Sequence, residues 1–179
     1  MLYAFGFDRI GVLVSDLYFV DPQPMPGQEG AEHGVRLELR ILGHGELKGS
    51  IYSARPIEVG RPVWRVDLLE AVDGPPGSLN RAHHHPAFDG WEPGARVFDK
   101  NLSARPVEWV RGQLSDLGGV LNRAGVDAVE SFAADAECLR AAIAEIAAVV
   151  QSLLDRIKAG ELAVAPAGDQ PESARVSWL

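Results

Sequence analysis

Cysteine, lysine and long apolar runs are all scarce in this chain of 179 residues, and each scarcity removes a class of protein. The one cysteine, Cys138, has no internal partner for a disulfide and falls within a predicted helix among apolar neighbours. A reducing cytoplasm is the compartment that such usage fits. No apolar stretch approaches the roughly 18 residues that a membrane helix needs. The opening "MLYAFGFDRIGVLVSDLYFV" has no basic leader, and Asp8 and Arg9 interrupt it before a signal-like core is complete. The expectation is a cytoplasmic protein with no membrane partner, whose first residues belong to the fold. Lysine occurs only at Lys48, Lys100 and Lys158, while Arg, Ala and Gly are frequent, as a GC-rich bacterial genome would encode. A phosphate-binding loop, a glycine-rich strand-to-helix fingerprint and a serine elbow are also missing, which removes the common nucleotide-binding and serine-hydrolase patterns. The formal net charge of −8 repels phosphate backbones at long range. An RNA partner would therefore have to be met by a local cluster of arginines.

What is present is an ordinary globular composition, 46% hydrophobic and 23% charged, at a length that suits one domain with a full core. The hydrophobic period changes once along the chain. From residue 9 to about 70 it is two: Ile10, Val12 and Val14 alternate, then Leu17 and Phe19, then Val35, Leu37, Leu39 and Ile41 with Arg36, Glu38 and Arg40 between them. Residues 21 to 34 read as a long polar connection, and "GHGELKG" (43 to 49) has the glycines of a hairpin loop. Further strands are predicted at 50 to 58 and at 62 to 70, where Trp64, Val66 and Leu68 share one face and Arg65 and Asp67 the other. The fold class that follows is α+β, with an antiparallel sheet of four or five strands over about residues 9–98, one face dry and one charged.

Beyond residue 103 the period is helical. Val107, Val110, Leu114 and Leu117 form one stripe, with Pro106 near its start and Gly118-Gly119 marking its stop. A long amphipathic helix is predicted over about 135–158, with Asp135 as N-cap, Lys158 in the last turn and Gly160 just past the end. Its apolar positions Leu139, Ile143, Ile146, Val150, Leu153 and Ile157 are spaced four and three alternately, the spacing of a helix–helix seam. Packing across the chain's own sheet is the ordinary use of such a stripe. Homo-oligomerisation, or docking of a cognate protein partner, is the other. The division expected is a single domain over 1–162, β-rich to residue 100 and helical over 103–160, then a loosely ordered tail over 163–179 in which Val176 and Trp178 are the residues able to dock onto the domain. "SARPIEVGR" (53 to 61) and "SARPVEWVR" (103 to 111) match, but their flanks share no period, so no repeat is assigned.

Between sheet and helices lies "AVDGPPGSLNRAHHHPAFDGWEPGARVFDKN", a long connection with no hydrophobic period of its own, and such connections are often binding or active-site loops. If residues 83 to 85 run extended, His83 and His85 point to one side and His84 to the other. A His-x-His pair can hold a transition metal given a third ligand, for which Asp67, Asp89, Glu92 and Asp99 are the candidates. The reading adopted for these residues is metal-free: His83 and His85 as general base and acid, with Arg65, Asp67 and Arg96 completing a catalytic set whose guanidinium stabilises developing phosphorane charge. Trp91 offers a planar surface for a substrate base. Against this stands the plainer reading, in which Arg65 and Asp67 are a solvated strand pair and the histidines are loop surface. No motif names a cofactor.

These residues also carry a resemblance. "VWRVDLLEAVDG", "HHHPAFDGWEP" and "RVFD" resemble the pattern of small toxin components of certain bacterial toxin–antitoxin pairs, an aromatic-Arg-x-Asp strand followed by His-x-His, an acidic residue and an aromatic strand. Trp64, Arg65 and Asp67 fall on the strand element, His83 and His85 on the His-x-His, Glu92 on the acidic residue, and Val97 and Phe98 on the last strand. The spacer from Asp67 to His83 is longer and richer in Pro and Gly here, Leu68 stands where that family has Asn, and the long C-terminal helix has no counterpart. The resemblance implies an intracellular RNA-directed toxin with a cognate partner. Two functions follow from the sequence: a phosphodiester-directed hydrolase or ribonuclease-like toxin using the His loop, and a non-catalytic binding or oligomerisation module using the helix.

Overall fold

The computed structural model describes residues 1–50, 52 and 55–166. Five strands form one antiparallel meander: β1 (Leu2–Gly6), β2 (Ile10–Val20), β3 (Ala31–His44), β4 (Ile57–Ala71) and β5 (His83–His85), in that spatial order. A two-stranded ribbon, β6 (Phe88–Asp89) and β7 (Glu92–Pro93), follows. Four α-helices follow among the described residues: α1 (Lys100–Ala104), α2 (Pro106–Ser115), α3 (Leu117–Arg123) and, after a 3-10 turn at Val129–Phe132, α4 (Ala133–Lys158). The predicted α+β architecture is what is observed. None of the described helices is long and apolar enough to cross a membrane.

Alternation sorts the sheet into two faces. Ile10, Val12 and Val14, then Val35, Leu37 and Leu39, then Trp64, Val66 and Leu68 are all essentially inaccessible and meet the helices. The helical side answers with Leu102, Val110, Leu114, Leu121, Phe132 and the stripe of α4 from Leu139 to Ile157. That stripe packs across the chain's own sheet, as the ordinary use of an amphipathic helix requires. Trp109 of α2 stacks on Trp64 with ring centroids 6.1 Å apart.

Several local expectations need correction. Among the described residues of 50 to 58 no separate strand is found: β3 extends to His44, Pro56 has no N–H to give to a ladder, and β4 begins at Ile57. The hairpin connection is accordingly longer than the predicted 43 to 49, and residues 51, 53 and 54 lie outside the described residues. An additional edge strand, β1, lies before the predicted start of the sheet and pairs with β2. Gly118 and Gly119 stop no helix; α2 ends at Ser115, and the Asp116 carboxylate accepts a bond from the Gly119 N–H at 3.1 Å to start α3. Asp135 is no N-cap either. It lies inside the first turn of α4, is 2% exposed, and accepts a bond from the Arg9 N–H at 2.9 Å, tying the β1–β2 turn to the helix. Cys138 is exposed, because it sits one position off the buried stripe at Leu139. At the other end Gly160 has φ +74 and its N–H bonds to the Ile157 carbonyl, so it closes α4 as expected. Ala163, predicted to begin a loose tail, is 7% exposed and bonded to Asp16 at 3.1 Å; Val176 and Trp178 lie outside the described residues.

Candidate functional site

Strand register builds the site. On the face away from the helices, Arg36 of β3 lies opposite Asp67 of β4, which lies opposite His83 of β5. One step along, Glu38 lies opposite Arg65, which lies opposite His85. Residues i and i+2 share a face and cross-strand neighbours are about 4.5–5.5 Å apart, so two rows of charged and titratable groups interlock. The loop after β4 makes the second pairing possible. Glu70 accepts bonds from the N–H groups of Gly77 and Leu79 at 3.0 and 3.1 Å, and Arg81 N–H returns to the Leu69 carbonyl, which lays 83 to 85 beside β4.

The face is charged but it is not solvated. The β6–β7 ribbon and the 21 to 30 connection cover it: Arg81 donates to the Gly27 carbonyl at 2.6 Å, and Arg96 to Gln28 at 2.8 Å and Asp21 at 3.1 Å. Asp67 is consequently 1% exposed and His83 and His85 are 3% exposed each. The solvated strand pair and the surface histidines of the plainer reading are therefore not what the chain forms. Extended backbone at 83 to 85 does place His84 on the opposite face, 4.9 Å from the Trp109 ring.

Asp67 is the hub. Its Oδ1 accepts from Arg36 Nε at 2.7 Å, and its Oδ2 lies 3.0 Å from Arg65 Nε, 3.5 Å from His83 Nε2 and 3.7 Å from His85 Nε2. Burial alone would raise its pKa, but the charges of Arg36 and Arg65 and the Arg36 hydrogen bond outweigh it and hold the carboxyl far below the usual range. His83 Nδ1 lies 2.8 Å from the Arg81 carbonyl and His85 Nδ1 2.7 Å from the Gly94 carbonyl. A carbonyl only accepts, so each Nδ1 carries the proton and each neutral ring turns an Nε2 lone pair toward Asp67. Arg65 Nη2, which only donates, lies 3.0 Å from His85 Nε2 and agrees with that tautomer. Burial lowers the His83 pKa against the pull of Asp67, and burial with the Arg65 charge lowers that of His85 to about 4.

Of the predicted residues, Arg65, Asp67, His83 and His85 come together. Arg96 lies close enough to influence His83 electrostatically, but its guanidinium is engaged by Asp21 and Gln28. Trp91 occupies the turn of the ribbon, 58% exposed and over the Arg40 guanidinium at 5.8 Å. Asp89 and Glu92 are exposed on the ribbon, and Asp99 caps α1 at Asn101 and takes the Trp109 indole N–H at 2.9 Å, which leaves Asp67 as the carboxylate beside the His pair. Sequence reasoning missed Arg36, which reaches Asp67 from the neighbouring strand, and the rings that cover the imidazoles, Phe98 at 5.6 Å from His83 and Phe88 at 6.3 Å from His85. The signal for Arg36 was the run Arg36-Glu38-Arg40, three charges on one face of a strand whose other face reads Val35, Leu37, Leu39 and Ile41 over the same stretch. No family model, curated protein or solved structure matches the chain.

Proposed function

We propose that the chain is a small hydrolase directed at phosphodiesters, with Arg65, Asp67, His83 and His85 as its reaction centre and a ribonuclease-like toxin acting in the cytoplasm as its specific form. The observation that carries this reading is the convergence of two imidazole Nε2 lone pairs on one carboxylate oxygen, with a guanidinium bonded to one of them. Cleavage of a phosphodiester needs a basic group to receive the proton of the attacking hydroxyl and fixed positive charge where the phosphorane develops. The imidazoles supply the first and Arg65 the second; the Arg81 and Gly94 carbonyls orient the rings, and Asp67 holds the guanidinium.

Arg36, Arg65 and Arg96 form the local arginine cluster that an acidic chain needs before it can approach a phosphate. Arg36 and Arg96 keep 25% and 26% of their side-chain surface exposed and form the rim at which a phosphate enters. Trp91, 58% exposed on the ribbon and over Arg40, offers a ring face for stacking on a base. The α4 stripe that would serve self-association is packed on the sheet and leaves no apolar face there for an interface.

Induced expression in bacteria tests the reading. Wild-type chain arrests growth, and a folded His83→Ala/His85→Ala variant relieves the arrest. Equal growth with both would favour a non-catalytic binding module.

A further inference from the structure

We propose that Asp67, His83 and His85 form a mononuclear site for a divalent transition-metal ion such as Zn(II) or Co(II). The inference rests on the hydrolase reading for the role of the ion and changes the part of the two imidazoles from proton acceptors to ligands, a water on the ion then serving as the nucleophile; the binding itself stands on geometry alone.

Three donor atoms, Asp67 Oδ2, His83 Nε2 and His85 Nε2, lie within 4.8 Å of one another. Ligands of an ion held at about 2.0–2.2 Å in tetrahedral geometry are about 3.3–3.6 Å apart. The two imidazoles stand 3.5 and 3.7 Å from the carboxylate oxygen, at or just beyond that spacing and longer than a good hydrogen bond. Orientation agrees as well as distance. Metal-bound histidine ordinarily gives its other N–H to a carbonyl or carboxylate, which fixes the ring and its tautomer. Both rings here do so, His83 to Arg81 and His85 to Gly94. Two imidazoles and a carboxylate are a donor set of the kind that catalytic zinc sites use.

The cluster is also incompletely satisfied as it stands. Arg65 Nε is buried without a hydrogen-bond partner although it lies 3.0 Å from Asp67, and Arg65 Nη2 is the donor that shares His85 Nε2. An entering ion takes over His85 Nε2 and displaces that guanidinium toward the ribbon, where the Phe88 ring lies 5.6 Å from Arg65 Cζ. Arg36 and Arg65 already exceed the Asp67 charge, so the ion brings further positive charge to the place where an anionic phosphodiester would offset it. When bound, such an ion lowers the pKa of a coordinated water and so supplies a nucleophile at neutral pH. The chain's own part is to fix the rings, exclude bulk water and hold the arginines for the phosphate.

The test is titration of chelator-treated full chain with Co(II), read by its visible absorption, with circular dichroism as the control for folding. Wild type takes up one ion per chain. His83→Ala and His85→Ala each weaken binding by about 100-fold or more, the scale on which even outer-shell losses act. His44→Ala, which removes an exposed histidine remote from the cluster, leaves binding unchanged. Arg65→Met removes the competing donor and one positive charge, so it tightens binding, a gain that misfolding cannot imitate. The proposal is overturned if wild type takes up no stoichiometric ion, if the variants at 83 and 85 bind as wild type does, or if Arg65→Met binds more weakly. RNA cleavage that neither chelator nor Co(II) alters would remove the metal site and leave the hydrolase reading. Stoichiometric Co(II) binding by a chain that cleaves no RNA would support the site and remove that reading.

Discussion

Replacing Asp67 by Asn changes one oxygen for an NH2 group at nearly constant volume, and it strikes the centre of the charged face. The wild-type carboxylate is 1% exposed and pairs with two guanidinium groups, Arg36 at 2.7 Å and Arg65 at 3.0 Å. Breaking a buried pair by removing one partner costs about 3–5 kcal/mol, because the charge left behind is uncompensated. Arg36 and Arg65 keep 25% and 13% of their side chains exposed, so water relieves part of that penalty. The expected loss is at the lower end, about 3 kcal/mol. With an m-value of about 2 kcal/mol/M, the urea midpoint of the metal-free chain falls by about 1.5 M. Because the Asp67 carboxyl is held far below its ordinary 3.8, the wild-type advantage is full above that value and shrinks as pH falls through it. A cycle with Arg36→Met completes the test, the double variant losing less than the sum of the singles. A midpoint shift of about 0.25 M or less, worth about 0.5 kcal/mol, or strict additivity in the cycle, would refute the description of Asp67 as a buried hub.

Other positions yield independent expectations. His85 titrates near 6.5 when unfolded and about 4 when folded, so folding excludes a proton and stability declines as pH falls from 6.5 toward 4. His85→Gln should flatten that decline by on the order of 3 kcal/mol, read from denaturation midpoints at pH values on either side of the window. Leu153 is 1% exposed, so Leu153→Ala costs about 2–5 kcal/mol. Leu153→Glu unfolds the chain, and light scattering with circular dichroism would contradict this if a folded monomer emerged from an oligomer. Gly34 has φ +156, and a β-carbon there would sit 2.0 Å from the Leu68 carbonyl oxygen. Gly34→Ala therefore costs at least about 1–3 kcal/mol and disturbs the β3–β4 register, visible as a lowered melting temperature.

The elements that sequence periodicity revealed are those whose pattern is set by burial. Ile10-Val12-Val14, Val35-Leu37-Leu39 and Trp64-Val66-Leu68 alternate because one face of each strand meets the helices, and Leu139 to Ile157 repeat every three or four because one stripe of α4 meets the sheet. Ends set by local hydrogen bonds were harder to see. Asp116 and Asp135 are both acidic residues near helix starts, yet one caps a helix and the other binds the Arg9 N–H 126 positions away. The site divides in the same manner. His83 and His85 were separable from His84 by strand alternation, and Arg65 from Trp64. That Arg36 stands opposite Asp67, and Asp67 opposite His83, depends on register, which a period of two does not contain. Burial of the charged face was illegible for a related reason, since a ribbon at 88 to 93 and a loop at 21 to 30 cover it by long-range contacts.

Incubation of a labelled RNA with purified wild-type chain and with the folded His83→Ala/His85→Ala variant tests the central claim directly. The account predicts cleavage by wild type and a loss of about 10²–10⁴-fold in the variant, the range that proton transfer by positioned side chains contributes. RNA left intact by wild type, or cut equally by both, would contradict it.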